Sequence, residues 1–281
     1  MFYDKNEMNA QKYRLLKQFF GHESFRSGQE ELADSILSGR DAVGIMPTGA
    51  GKSVCYQLPA LMLGGITIVI SPLISLMKDQ VNSLIQSGVG CAYINSSLTR
   101  AQYETAMSRA AQGAYKIIYA APERLDSPSF KNFAQNANIS LIAVDEAHCV
   151  SQWGQDFRPS YLKIREFCES LPRRPVVAAF TATATAAVKR DIINMLGLRD
   201  PYSVTTGFDR KNLYFAVSEP KDKLAETERL IRAAGEASGI VYCSTRKNTE
   251  LVCDYLNEHG LPCTRYHAGL SDEERRRNQD D

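Results

Sequence analysis

The chain alternates short, nearly unbroken apolar runs with longer stretches in which apolar residues return every three or four positions. AVGIM (42–46), ITIVI (66–70), KIIYA (116–120), LIAV (141–144) and VVAAF (176–180) carry almost no polar side chains. Runs of this length, without the in–out alternation of a half-exposed strand, suit strands covered on both faces of a parallel sheet. Between them, SLMKDQVNSLIQSG (75–88) and TRAQYETAMSRAAQG (99–113) have helical spacing. The pattern predicts an α/β fold built on a doubly wound parallel sheet.

The rhythm breaks at TGFDRKN (206–212) and then restarts. A helix is expected near 221–236, a strand at GIVYCS (239–244), a helix near 247–258 and a strand near 263–267. Ser271 followed by Glu274 is a capping box that opens one more helix. The reading divides the chain into a first domain over 1–208 and a second over 209–281. Two strands and their helices bury little apolar surface, so the second domain is expected to be incomplete.

Bulk properties narrow the class. A chain of 281 residues has room for about two domains. It is 44% hydrophobic and 23% charged, as an ordinary globular protein is. No apolar run approaches the roughly 20 residues of a membrane span. The first residues, MFYDKNEMNAQKYR, mix both charge signs and do not form a signal peptide. A cytoplasmic protein is expected, associated with the nucleoid if the source is bacterial. Cysteines at 55, 91, 149, 168, 243, 253 and 263 form no CxxC pair, which speaks for reduced thiols and against a zinc site. The net charge of +1 does not announce nucleic acid, so any DNA contact must rest on local sites.

Two motifs carry chemistry. Met46-Pro47-Thr48-Gly49-Ala50-Gly51-Lys52-Ser53 follows a strand and opens a helix, the context of a phosphate-binding loop. The glycines let the backbone turn and aim N–H groups at phosphate oxygens, and the helix N-terminus adds positive potential. Lys52 is expected on the β- and γ-phosphates of ATP, and Ser53 on Mg²⁺. Asp145-Glu146-Ala147-His148 leaves the strand LIAV. Paired acids at a buried strand end are costly without a cation, so Asp145 is expected to hold the metal and Glu146 to activate water.

Taken together, these motifs resemble the superfamily-two helicases, and within them the RecQ family, over nearly the whole chain. Phe25-Arg26-x-x-Gln29 is similar to the family's motif upstream of the phosphate loop. The resemblance implies that Gln29 reads the adenine edge, with Arg26 nearby and His22 at the stacking position. SPLISLMKDQ (71–80), with Ser71 and Lys78, resembles the segment lining the DNA path, and Ala121-Pro122-Glu123-Arg124-Leu125 resembles the next DNA-contacting motif. Thr181-Ala182-Thr183 resembles the motif that links hydrolysis to DNA movement. CVSQWGQDFRPSY (149–161) resembles the aromatic-rich loop of RecQ enzymes, with Gln152, Trp153, Phe157, Arg158 and Tyr161 in it, and it directly follows His148. Aromatic rings stack on unpaired bases for roughly 1–3 kcal/mol each. Ile240-Val241-Tyr242-Cys243-Ser244-Thr245-Arg246 and Tyr266-His267-Ala268-Gly269-Leu270 resemble the opening of the second motor domain.

The resemblance implies two RecA-like domains, ATP and Mg²⁺ as cofactors, and 3′–5′ unwinding that acts on single-stranded DNA and duplex–single-strand junctions in recombination and repair. No membrane and no zinc are expected. The arginines that complete the ATP site, and the zinc-binding and winged-helix regions of the family, have no counterpart in the 281 residues. Such an arginine is worth roughly 10³–10⁵ in kcat, so slow turnover is expected of this stretch alone.

Overall fold

The apolar runs fold into one sheet. The computed structural model describes residues 5–207 and 213–280 and divides into two units, Met1–Asp209 and Arg210–Asp281. The first unit runs α1 (Lys5–Phe20), α2 (Gln29–Leu37), β1 (Ala42–Ile45), α3 (Val54–Met62), β2 (Ile66–Ile70), α4 (Ile74–Gln86), β3 (Cys91–Ile94), α5 (Arg100–Ala111), β4 (Ile117–Ala120), α6 (Pro128–Asn136), β5 (Ile139–Val144), α7 (Lys163–Ser170), β6 (Val176–Thr181), α8 (Ala186–Met195) and β7 (Tyr202–Thr205). The seven strands lie in the order β3-β4-β2-β5-β6-β1-β7, and every neighbouring pair is parallel.

Helices cover both faces. Leu32, Ile36, Tyr56, Met77, Val81 and Leu84 from α2, α3 and α4 pack on one side, against Val69, Tyr119, Leu141 and Phe180. Phe130, Phe133, Phe167 and Ile192 from α6, α7 and α8 pack on the other, against Ile68, Ile118, Ile142 and Val177. Successive strand residues therefore serve opposite cores, which is why the central strands read as continuous apolar runs. Each fully buried Ile, Leu or Phe contributes about 1.5–3 kcal/mol.

Two strands lie outside the expected set, and they are the two edges. β3 (CAYI) is short with its two middle residues half-buried, and β7 (YSVT) carries Ser and Thr with no residue fully buried, so neither has the long, fully covered apolar run of the central strands. Helix starts follow side-chain caps. Thr99 Oγ1 accepts from Gln102 N (3.3 Å), and Gln102 Oε1 accepts from Thr99 N (2.9 Å), at the head of α5.

The amino end of the sheet is held by one buried carboxylate. Asp41, just before β1, receives both Arg174 Nη atoms and the backbone N–H groups of Val177 and Arg199. It thereby joins the starts of β1 and β6 to the chain leading into β7.

The second unit contains α9 (Lys223–Ala234), α10 (Arg246–Glu258) and α11 (Asp272–Asp280). Asp222, Thr245 and Ser271 cap these helices, and Ser271 and Glu274 bond reciprocally. The strands expected at 239–244 and 263–267 are not formed among the described residues. A strand exists through its ladder partner, and neither segment has one; Ile240 is 80% exposed and Tyr242 91%. Part of the TGFDRKN break, residues 208–212, lies outside the described residues. No helix among the described residues is long and apolar enough to cross a membrane.

Candidate functional site

The strand order brings three motifs together. β5, β6 and β1 are neighbours, so the Asp145–His148 segment, Thr181–Thr183 and the Met46–Ser53 loop leave the sheet side by side at its carboxyl edge. Ligands of open α/β sheets bind at this edge because loops there diverge and leave a crevice.

The Met46–Ser53 loop is pre-bent. Gly49 (φ 82°) and Gly51 (φ 78°) both take the left-handed conformation, and Ser53 leads into α3. Lys52 Nζ donates to the Met46 carbonyl at 3.2 Å, so its ammonium lies over the turn. The upstream motif buttresses the same turn. Arg26 Nη1 donates to the Gly49 carbonyl. Gln29 Nε2 donates to the carbonyls of Ala50 and Gly51, 3.0 Å each, and its Oε1 accepts from Arg26 N at 2.8 Å. Gln29 is only 3% exposed, with both amide protons and its oxygen engaged. It thereby braces the cradle from behind. His22 is exposed on the loop after α1, and Thr48 is exposed at the tip of the turn.

The acid pair is charged against its surroundings. Asp145 is 7% exposed. Its Oδ1 accepts from Glu146 N at 3.0 Å, and its own N–H continues the ladder to Ile70. Burial pushes the Asp145 carboxyl up to about 6, and the neighbouring Glu146 charge adds to the rise. Lys52 pulls the other way on both carboxyls, which places its ammonium within their field. The His148 hydrogen bond lowers Glu146. Glu146 holds φ 47°, a left-handed conformation unusual for a residue with a side chain, and such strain concentrates at working sites. The Ser53 hydroxyl and the Asp145 carboxylate are each oxygen donors of the kind Mg²⁺ takes, and no group of three or more His, Cys, Asp or Glu among the described residues could hold a metal by itself.

His148 joins the acids to β6. Its Nδ1 lies 2.8 Å from Thr181 Oγ1 and 3.2 Å from Glu146 Oε2. Thr181 Oγ1 donates to the Thr183 carbonyl at 3.2 Å, so it accepts from the imidazole, and Nδ1 carries the proton. The Cys149 sulfur, 3.9 Å from Nε2, and then the Glu146 carboxylate push the imidazole up to about 10.

The aromatic loop stands out from this core. Trp153 is 81% exposed, Gln152 is exposed, and Phe157 is half-buried. Gly154 is required where the loop crosses over His148, because a Cβ there would lie 2.3 Å from the His148 carbonyl oxygen. Ser151 Oγ donates to Asp191 Oδ2 (2.6 Å), which fixes the root of the loop to α8. Arg158 forks Asp156 at 2.8–2.9 Å and reaches the Pro72 carbonyl at 3.3 Å.

Two expectations need correction. Tyr161 is fully buried, and its hydroxyl donates to the Asp145 carbonyl at 2.9 Å, so it anchors the loop and offers no stacking ring. Ser71 is 1% exposed at the end of β2, and its hydroxyl has no partner among the described residues, so it is no surface contact. Lys78 on α4 and Thr183 are exposed.

Sequence reasoning also passed over Tyr56. It is 1% exposed one turn into α3, and burial holds its phenol well above the usual range. The available signal was a Tyr-Gln pair inside the otherwise apolar VCYQLPALM. A cleft of about 760 Å³ at the opposite, amino end of the strands is lined by Arg40, Asp41, Arg173, Arg174 and Arg199. The C-termini of α2, α3 and α8 end around it, their negative dipole ends are what these cations complement, and Arg174 is already spent on Asp41.

The DEAD/DEAH box helicase family matches residues 26–191. The chain is 45% identical over 267 residues to the ATP-dependent DNA helicase RecQ of Bacillus subtilis (strain 168), covering 95% of this chain and 45% of that protein. It is 41% identical over 261 residues to the ATP-dependent DNA helicase RecQ of Pasteurella multocida (strain Pm70), covering 93% and 41%. It thus spans under half the length of these curated relatives. The crystal structure of the DUF1998 helicase MrfA bound to DNA superposes with a TM-score of 0.72 at 19% identity, covering 96% of this chain and 42% of that one, a likeness of fold.

Proposed function

Since the chain belongs to the DEAD/DEAH box helicases and, within them, to the RecQ family, we propose that it is the ATP-hydrolysing part of a 3′–5′ DNA helicase that moves on single-stranded DNA. The observation that carries this reading is the meeting of Lys52, Ser53, Asp145 and Glu146 at one sheet edge, with the exposed Trp153 loop rooted directly behind them.

Each residue has a task in this reading. The backbone of Gly49–Ser53 and the N-terminus of α3 receive the phosphates, and Lys52 leaves the Met46 carbonyl to pair with them. Ser53 and Asp145 would hold Mg²⁺, which would supply positive charge against the phosphates. Glu146 orients the attacking water and accepts its proton. His148 passes the state of Glu146 to Thr181 and Thr183 through one shared proton. Trp153 and Phe157 stack on unpaired bases, while Gln152, Arg158 and Lys78 contact the strand. Arg26 and Gln29 brace the cradle through its carbonyls, and His22 flanks the base. Duplex–single-strand junctions are the expected substrates, and recombination and repair the setting.

Titration with a fluorescent ATP analogue and Mg²⁺ tests the nucleotide half. Lys52→Ala should abolish binding, and retained affinity would refute the cradle. Stimulation of ATPase by RNA in preference to DNA, measured on a form that includes both motor domains, would overturn the DNA reading in favour of an RNA helicase.

A further inference from the structure

Three polar side chains, the buried Gln57 and Tyr119 and the half-buried Gln80, connect the helix behind the nucleotide cradle to the helix beside the DNA path. Gln57 sits one turn into α3, its backbone N–H donating to the Ser53 carbonyl at 2.9 Å. Gln57 Nε2 donates to Tyr119 Oη at 2.7 Å and to Gln80 Oε1 of α4 at 2.8 Å. Tyr119 is 1% exposed and Gln57 is 4% exposed. Tyr119 belongs to the core cluster of Val69, Met77, Val81 and Leu84. Leucine and phenylalanine would fill this space without needing partners, so packing alone does not call for an amide and a phenol here.

We propose that Gln57, Tyr119 and Gln80 form a positioning relay that couples nucleotide occupancy at the head of α3 to the placement of α4, and so links ATP binding to single-strand binding. The inference rests on the function proposed above. Both amide protons of Gln57, itself 4% exposed, are committed. A shift of α3 that left Tyr119 or Gln80 behind would strand a buried donor, which is costly. The cheaper response is for α4 to follow. The far end of the relay is well placed for DNA. α4 carries the exposed Lys78, and Pro72, just ahead of α4, accepts from Arg158 of the aromatic loop. The path runs on the face of the sheet covered by α3 and α4, separate from the His148–Thr181 link.

The relay predicts reciprocal linkage between the two ligands. A labelled single-stranded oligonucleotide is titrated into the 281-residue chain, with and without a non-hydrolysable ATP analogue and Mg²⁺, and fluorescence anisotropy is read. In the wild type the analogue should change oligonucleotide affinity by roughly 5–150-fold. In Tyr119→Phe the ratio should collapse to within twofold of unity, with each ligand's separate affinity unchanged within about twofold. Gln57→Leu, close in shape, should do the same and serves as the second variant should Tyr119→Phe lose its cooperative melt. Unaltered linkage in both folded variants overturns the relay, as does a wild type that binds both ligands with a ratio of one. A wild type that binds neither ligand overturns the proposed function, and the relay with it.

Discussion

Replacing Asp41 with alanine removes the acceptor that holds the starts of three strands together. Its Oδ1 accepts from Arg174 Nη1 (3.1 Å) and Val177 N (2.9 Å), and its Oδ2 from Arg174 Nη2 (2.7 Å) and Arg199 N (2.7 Å). The carboxylate side chain is 2% exposed and the arginine side chain 19%, so solvent screens this pair little. Loss of one partner from such a pair costs about 3–5 kcal/mol, because the other charge is left buried and uncompensated. The guanidinium keeps the carbonyls of Pro175 and Gly197, which softens the effect toward the lower figure. Two backbone donors are stranded as well, which pushes it back up. For a unit of about 200 residues, each kcal/mol moves Tm by about 2–4 °C, so a fall of roughly 6–20 °C is expected. Arg174→Met should cost less, because Asp41 then keeps two backbone N–H groups. Thermal unfolding followed by far-UV circular dichroism reads both variants. A drop under about 3 °C for Asp41→Ala, or a larger drop for Arg174→Met, would refute the view that the carboxylate is the hub.

Gly51→Ala places a Cβ 2.5 Å from Gln29 Nε2 at a φ of +78°, so the cradle must deform; nucleotide affinity should fall at least tenfold, and an unchanged Kd in calorimetry would contradict this. Trp153→Ala removes a ring that packs on little of the protein, so Tm should hold while single-strand affinity falls roughly 5–150-fold, the equivalent of one stacked base. A large loss of Tm with unchanged DNA affinity would show that the ring is structural.

The site was legible in the sequence to the extent that its parts are contiguous. The turn around Gly49 and Gly51, the acids at the end of β5 and the aromatic run after His148 are each specified by neighbours along the chain, and the structure sets them at strand ends. Gln29, Ser71 and Tyr161 were read from likeness alone, and their actual contacts lie outside what the local sequence shows. Gln29 meets carbonyls more than twenty residues away, Ser71 turns inward at a strand end, and Tyr161 closes on the backbone of Asp145. No local spacing encodes such contacts. The relay was missed for the same reason, since Gln57 and Tyr119 are 62 residues apart.

What the sequence alone determined about this protein is periodicity and local turn chemistry. Five strands show because burial on both faces removes polar residues from them, and helix starts show because Thr99 and Ser271 meet their capping partners three residues on. Tertiary structure decided the rest: the order β5-β6-β1 that gathers the motifs, the two edge strands, the Asp41 hub, and the absence of ladders at 239–244 and 263–267 among the described residues. Those features depend on which segment lies alongside which. A side chain or a strand gains its hydrogen-bond partner only when the fold delivers one, so the pattern of a single segment does not contain it.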